Sequence, residues 1–109
     1  MINTRILHPV ESLILSKIPD FVKERARDIE LVVFDVDGVL TDGSLYYSAN
    51  GESQKRFHAL DGHGMKMLIQ SGIQVAMMTG RQSEITNRRA AELGIPHLLQ
   101  NVRNKRQAL

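Results

Sequence analysis

Three features of the sequence predict an α/β fold built on a parallel sheet. Two short apolar runs, Leu31-Val32-Val33-Phe34 and Ile73 to Met78, are too short for most helices and read as strands. Each is followed at a distance by a segment with helical spacing, Met65, Leu68 and Ile69 in one case and Ile85, Ala90 and Leu93 in the other. Between them, Asn50-Gly51 marks a hairpin, because both residues accept positive φ. The architecture expected is therefore a partial, Rossmann-like parallel sheet with flanking helices and a projecting β-hairpin. With 109 residues, one domain is expected. It comprises an N-terminal helical segment over 1–29 and a core over 30–109 that contains the hairpin at 44–58.

Composition narrows the partners. Fourteen Lys and Arg against twelve Asp and Glu give a net charge of +2, too balanced to predict nucleic-acid binding without a concentrated basic face. The absence of cysteine rules out disulfides and thiolate metal sites and fits a reducing compartment. No run approaches the length that spans a bilayer and no apolar export-signal region follows the first charges, so a cytoplasmic location away from membranes is expected.

In chain order, Pro9 suits a helix start and Pro19 interrupts the pattern of Val10, Leu13, Ile14, Ile18, Phe21 and Val22, which predicts two short helices, the second over about 20–27. Four large apolar residues at 31–34 suit a strand covered on both faces. Leu45 to Ser48 and Lys55 to His58 are expected to form the arms of the hairpin. Asp61-Gly62-His63-Gly64 opens a helix that Gly72 closes in the left-handed region, with methionines as core filler. Ser83 caps the next helix and Gly94 ends it. His97 to Gln100 is a third, weaker strand.

Chemistry is expected at the end of the first strand. Asp35 and Asp37 are two apart in extended chain, point the same way about 7 Å apart, and stand where ligands collect in open α/β sheets. Taken alone, Asp and Gly after a strand most often make a turn. The longer stretch Phe34-Asp35-Val36-Asp37-Gly38-Val39-Leu40-Thr41-Asp42-Gly43, however, resembles the first motif of the haloacid-dehalogenase-like phosphotransferases. Thr79-Gly80-Arg81 resembles the second motif, and Asn101-Val102-Arg103-Asn104-Lys105 the third. A basic residue at a helix N-terminus opposes the dipole, so Lys105 is better placed for an anion than for stability.

The resemblance narrows to a capless sugar-phosphate phosphatase subfamily through Val39 to Gly43, Asn50-Gly51, Asp61 to Gly64, Thr79 to Arg81 and Leu93-Gly94-Ile95. It implies Asp35 as nucleophile and Asp37 as proton donor and acceptor. Mg²⁺ would be bound by Asp35 and the Asp37 carbonyl. Phosphate would be held by Thr79, Lys105 and loop amides, and substrate by Asp37, Thr79, Gly80, Arg81, Arg89 and Lys105. The implied substrate is 3-deoxy-D-manno-octulosonate 8-phosphate, a lipopolysaccharide precursor, with an acylneuraminate 9-phosphate as the alternative, and the implied assembly is a homotetramer.

The family's fourth motif, a Gly-Asp-Asp type segment, has no counterpart in these residues. The resemblance therefore implies that this chain is the N-terminal part of a longer enzyme, and that by itself it is poorly soluble or associates through its first strand, which becomes an edge, and shows little Mg²⁺-dependent turnover. A non-catalytic chain that keeps the phosphate-binding loops and an oligomerising surface stays open beside the enzyme.

Overall fold

The computed structural model describes residues 8–109; the start of the expected N-terminal segment, residues 1–7, lies outside them. Helix α1 (Pro9–Ser16) begins with a capping box in which His8 takes the usual place of Ser or Thr. Its Nδ1 accepts from the Val10 amide at 3.1 Å, and Glu11 accepts from the His8 amide at 3.2 Å. Pro19 then precedes α2 (Asp20–Arg27), so the two expected helices are present, and neither buries a residue.

Strand β1 (Leu31–Phe34) pairs in parallel with β4 (Gln74–Met78), which pairs in parallel with β5 (His97–Leu99). In the order β1-β4-β5, β4 is central and its last four residues are buried. β1 is an edge among the described residues, and here the expectation of a strand covered on both faces fails. Leu31 is 47% exposed and Val32 to Phe34 are half-buried. An apolar run records what a strand can bury, whereas its neighbours decide what it does bury.

The hairpin forms in a different register from the one expected. Its arms are β2 (Tyr46–Ser48) and β3 (Gly51–Gln54), so Lys55 to His58 is not a strand. Ser48 pairs with Gly51, which leaves Ala49 and Asn50 as the turn, and Gly51 rather than Asn50 takes positive φ, 112°. Negative φ in the turn followed by a positive-φ glycine is the alternative to a mirror-image Asn-Gly turn. The consequence is a shorter ribbon and a free segment, 55–58, that runs back toward the sheet.

Helix α3 (Ala59–Gln70) starts earlier than expected, because His58 Nδ1 accepts from the Leu60 amide at 3.1 Å and caps it. Gly72 (φ 93°) ends it as expected. Helix α4 (Glu84–Leu93) is capped by Ser83 and ended by Gly94 at φ 69°, both as expected. Its buried face holds Thr86, Ala90 and Leu93, and Ile85 is only half-buried. Helix α5 (Lys105–Ala108) is a single turn capped by Asn104. The core joins Val36, Leu40, Met65, Val75, Met77, Ala90, Leu93 and Ile95. Of the two helix methionines expected as core filler, Met65 is buried, whereas Met67 is 47% exposed and corrects that expectation.

Two glycines of α3 distinguish space from propensity. A Cβ on Gly62 would stand 2.5 Å from Arg89 Nη2 and 2.9 Å from Leu93 Cδ2, whereas one on Gly64 would meet nothing within 4 Å. Alanine gains up to about 1 kcal/mol of helix propensity at either site, but overpacking at the first costs about 1–3 kcal/mol. Gly64→Ala is expected to raise the melting temperature and Gly62→Ala to lower it, as thermal unfolding would show.

Candidate active site

Asp35 follows β1 and Thr79 follows β4, so parallel pairing of these strands places both at one end of the sheet. The loop after Asp35 is tightly closed. The amides of Val39, Leu40 and Thr41 all donate to the Val36 carbonyl, and Thr41 Oγ1 accepts from the amides of Gly38 and Gly43 at 3.2 Å each. Positive φ at Gly38 (83°) permits this path. Most loop amides expected to face a phosphate are thus engaged within the loop, and among the described residues the Asp37 amide is left without a protein acceptor.

Lys105 reaches Asp35 from 70 residues away, with Nζ 2.6 Å from Oδ2. The path can be traced. Asn101 adopts φ 55°, a left-handed turn that Asn tolerates. The Val102 amide then donates to the Thr79 carbonyl at 3.0 Å and draws the loop after β5 against the loop after β4. Gly80 fits between them, since a Cβ there would lie 3.4 Å from the Val102 carbonyl oxygen. Asn104 then starts α5, with Lys105 as its first residue.

The Lys105 hydrogen bond is the main reason the Asp35 carboxyl titrates below the ordinary aspartate range. Partial burial works against that shift, and the Val36 amide, 2.7 Å from Oδ1, supports it. Asp35 is therefore held ionised. Thr79 is buried, and its Oγ1 accepts from the Arg81 amide at 3.2 Å.

Two of the expected substrate residues point elsewhere within this chain. The Arg81 guanidinium donates to the Tyr47 hydroxyl on the hairpin. Arg89 lies over the Phe57 ring, 5.5 Å from its centroid, near the His58 carbonyl and Glu92. The single-chain geometry does not bring Arg89 to Asp35, Asp37 or Lys105, because its helix face packs on α3.

Sequence reasoning missed Lys55. Its Nζ lies 2.6 Å from Asp37 Oδ1 and 3.0 Å from Glu52 Oε2, and its side chain is 2% exposed. Burial disfavours its charge, but hydrogen bonds to Asp37 and Glu52 outweigh that and raise its pKa. Glu52 loses stability as an anion by burial, yet Ser83 and Lys55 together hold its carboxyl below the usual range. The one signal in the sequence was the Glu52–Lys55 spacing beside the hairpin turn.

The donor set suits a hard cation. The Asp35 carboxylate and the Asp37 carbonyl are oxygen ligands of the kind Mg²⁺ takes together with waters and substrate phosphate oxygens. Among the described residues no group of three or more His, Asp or Glu forms a metal cage by itself. No described helix is long and apolar enough to cross a membrane.

No family model matches the chain. Its similarities to individual proteins are extensive. A Legionella pneumophila structure assigned to subfamily III A of the HAD superfamily superposes with a TM-score of 0.77 at 37% identity, over 91% of this chain and 53% of that one. The chain belongs to this haloacid-dehalogenase-like superfamily. Within it, the chain is 54% identical over 74 residues to 3-deoxy-D-manno-octulosonate 8-phosphate phosphatase of Haemophilus influenzae, covering 68% of this chain and 41% of that protein. It also matches the structure of the Moraxella catarrhalis enzyme of that name in complex with magnesium, phosphate and KDO, with a TM-score of 0.77, 43% identity and coverage of 82% and 51%. A cobalt-bound structure of the Haemophilus enzyme superposes with a TM-score of 0.67 at 53% identity, over 69% of this chain and 44% of that one. The chain spans less than half the length of the curated relatives it matches, 41% of the Haemophilus enzyme and 45% of an Escherichia coli one.

Proposed function

We propose that this chain acts in the hydrolysis of 3-deoxy-D-manno-octulosonate 8-phosphate, with Asp35 as nucleophile and Mg²⁺ as cofactor. The observation that carries the reading is the ionised Asp35 held 2.6 Å from Lys105 at the sheet end beside Thr79. The names of its relatives supply the substrate.

The Asp35 carboxylate attacks phosphorus, and the bond to the sugar oxygen breaks as Asp37 gives that oxygen its proton. Water then attacks the aspartyl-phosphate, loses its proton to Asp37, and releases inorganic phosphate and free Asp35. A carboxylate and a phosphate dianion repel each other, so Lys105 offsets negative charge and Thr79 orients the phosphoryl oxygens. Mg²⁺, which the Asp35 carboxylate and the Asp37 carbonyl would hold, would supply the remaining neutralisation when bound.

The test is release of inorganic phosphate from that sugar phosphate by the purified chain with Mg²⁺, its loss on chelation, and weaker release from an acylneuraminate 9-phosphate. One other reading stays beside it, phosphate binding without turnover. Calorimetric binding of phosphate with no release would select it.

The same reading extends to assembly and place. A two-stranded ribbon is marginal alone, and the hairpin leaves Leu45 and Tyr47 46% and 59% exposed. Copies of the chain are expected to meet there as a homotetramer in the cytoplasm. Sedimentation should give a species several-fold heavier than 12.3 kDa, and Tyr47→Ser should shift it toward the monomer; a well-folded wild-type monomer would exclude it.

A further inference from the structure

Lys55 occupies a position that the phosphatase reading, on which this inference rests, does not use. Its enclosed ammonium lies between Asp37 Oδ1 and Glu52 Oε2. The other Glu52 oxygen accepts from Ser83 Oγ at 2.6 Å, and the Ser83 amide donates to Gln100 Oε1 at 2.7 Å. A continuous polar chain therefore runs from the loop after β1, through the hairpin, to the cap of α4 and the end of β5. Among the described residues Asp37 Oδ2 makes no hydrogen bond, so the contact to Lys55 fixes one oxygen and leaves the other open.

We propose that Lys55 is a positioning residue: clamped by Glu52, it holds the Asp37 carboxyl group by Oδ1 in the rotamer that presents Oδ2, which carries the proton to be donated, to the leaving group, and so couples the hairpin to the nucleophile loop. The chemistry requires such a device. Asp37 has to meet the sugar oxygen at hydrogen-bond distance, and a carboxylate on a short exposed loop samples several rotamers unless one oxygen is tied. A lysine buried for packing alone is a poor choice, since an enclosed ammonium is tolerated only with partners. Here it has two, and one of them is the group to be positioned.

The experiment compares the wild-type chain with Lys55→Met, Lys55→Arg, and the double variant Lys55→Met/Glu52→Gln, which relieves the repulsion between the two carboxylates if the single variant unfolds. Displacement of a reacting group by about 1 Å costs on the order of 10²-fold in rate. Lys55→Met and the double variant should therefore lose about that in kcat with KM little changed, and Lys55→Arg should recover part of it. Loss confined to KM, or a folded double variant within two-fold of wild-type kcat, overturns the proposal.

A second readout does not depend on turnover and separates failure of this proposal from failure of the phosphatase reading. In crystal structures or by side-chain carboxyl NMR, Asp37 should show one conformer in the wild type and several in the folded double variant. An unchanged single conformer overturns the positioning role even if the wild-type chain releases no phosphate.

Discussion

Asp35→Asn is expected to lower phosphate release by at least about 10⁴-fold, because loss of a covalent nucleophile removes the pathway rather than slowing it. The amide has nearly the same shape, so the loop after β1 keeps its hydrogen bonds to the Val36 carbonyl and the fold should persist by circular dichroism. What changes is charge. Asn offers no attacking carboxylate, loses the ion pair to Lys105, and ligates Mg²⁺ less well. Phosphate release from the sugar phosphate, measured on a contamination-free preparation, checks this; near-wild-type turnover would remove Asp35 from the nucleophile's role.

The second large effect belongs to Lys105. Lys105→Met should reduce turnover by about 10²–10³-fold, the range seen when one preorganised charge-stabilising donor is removed. It should also let the Asp35 carboxyl rise toward the ordinary aspartate range, since the lysine hydrogen bond is the main cause of its depression. A carboxyl titration followed by NMR reads that shift without any assay of activity. The sign for stability follows directly. A carboxyl with a depressed folded pKa contributes stability above the ordinary aspartate range and loses it as pH falls through the depressed value. The wild type should therefore lose the tie between α5 and the sheet end on acidification, while Lys105→Met should be flatter with pH there. Both side chains are partly exposed, 47% for Lys105 and 39% for Asp35, so solvent screens the pair and its stabilising effect is modest.

The short-range signals translated well. Pro9 and Pro19 each stand at the start of a helix, Ser83 capped the helix expected of it, Gly72 and Gly94 ended theirs, and the parallel neighbours β1 and β4 brought Asp35 and Thr79 to one end of the sheet. Each of these depends on contacts within a few residues, or on the tendency of consecutive parallel strands to lie side by side. The hairpin shows where local signals compete. Asn50-Gly51 allowed two turn registers, and the one adopted moved Gly51 into the strand and released Lys55 to Phe57 toward the site.

Sequence by itself therefore determined the three parallel strands, most helix ends, and the three segments that carry Asp35, Asp37, Thr79 and Lys105. Tertiary structure alone decided that β1 is only half-covered, that Arg89 packs against Phe57, and that Lys55 reaches Asp37 across 18 positions to join Glu52. The physical reason is range. Periodicity and capping act through neighbours along the chain, whereas burial and ion pairing depend on which distant surfaces the closed loops bring together.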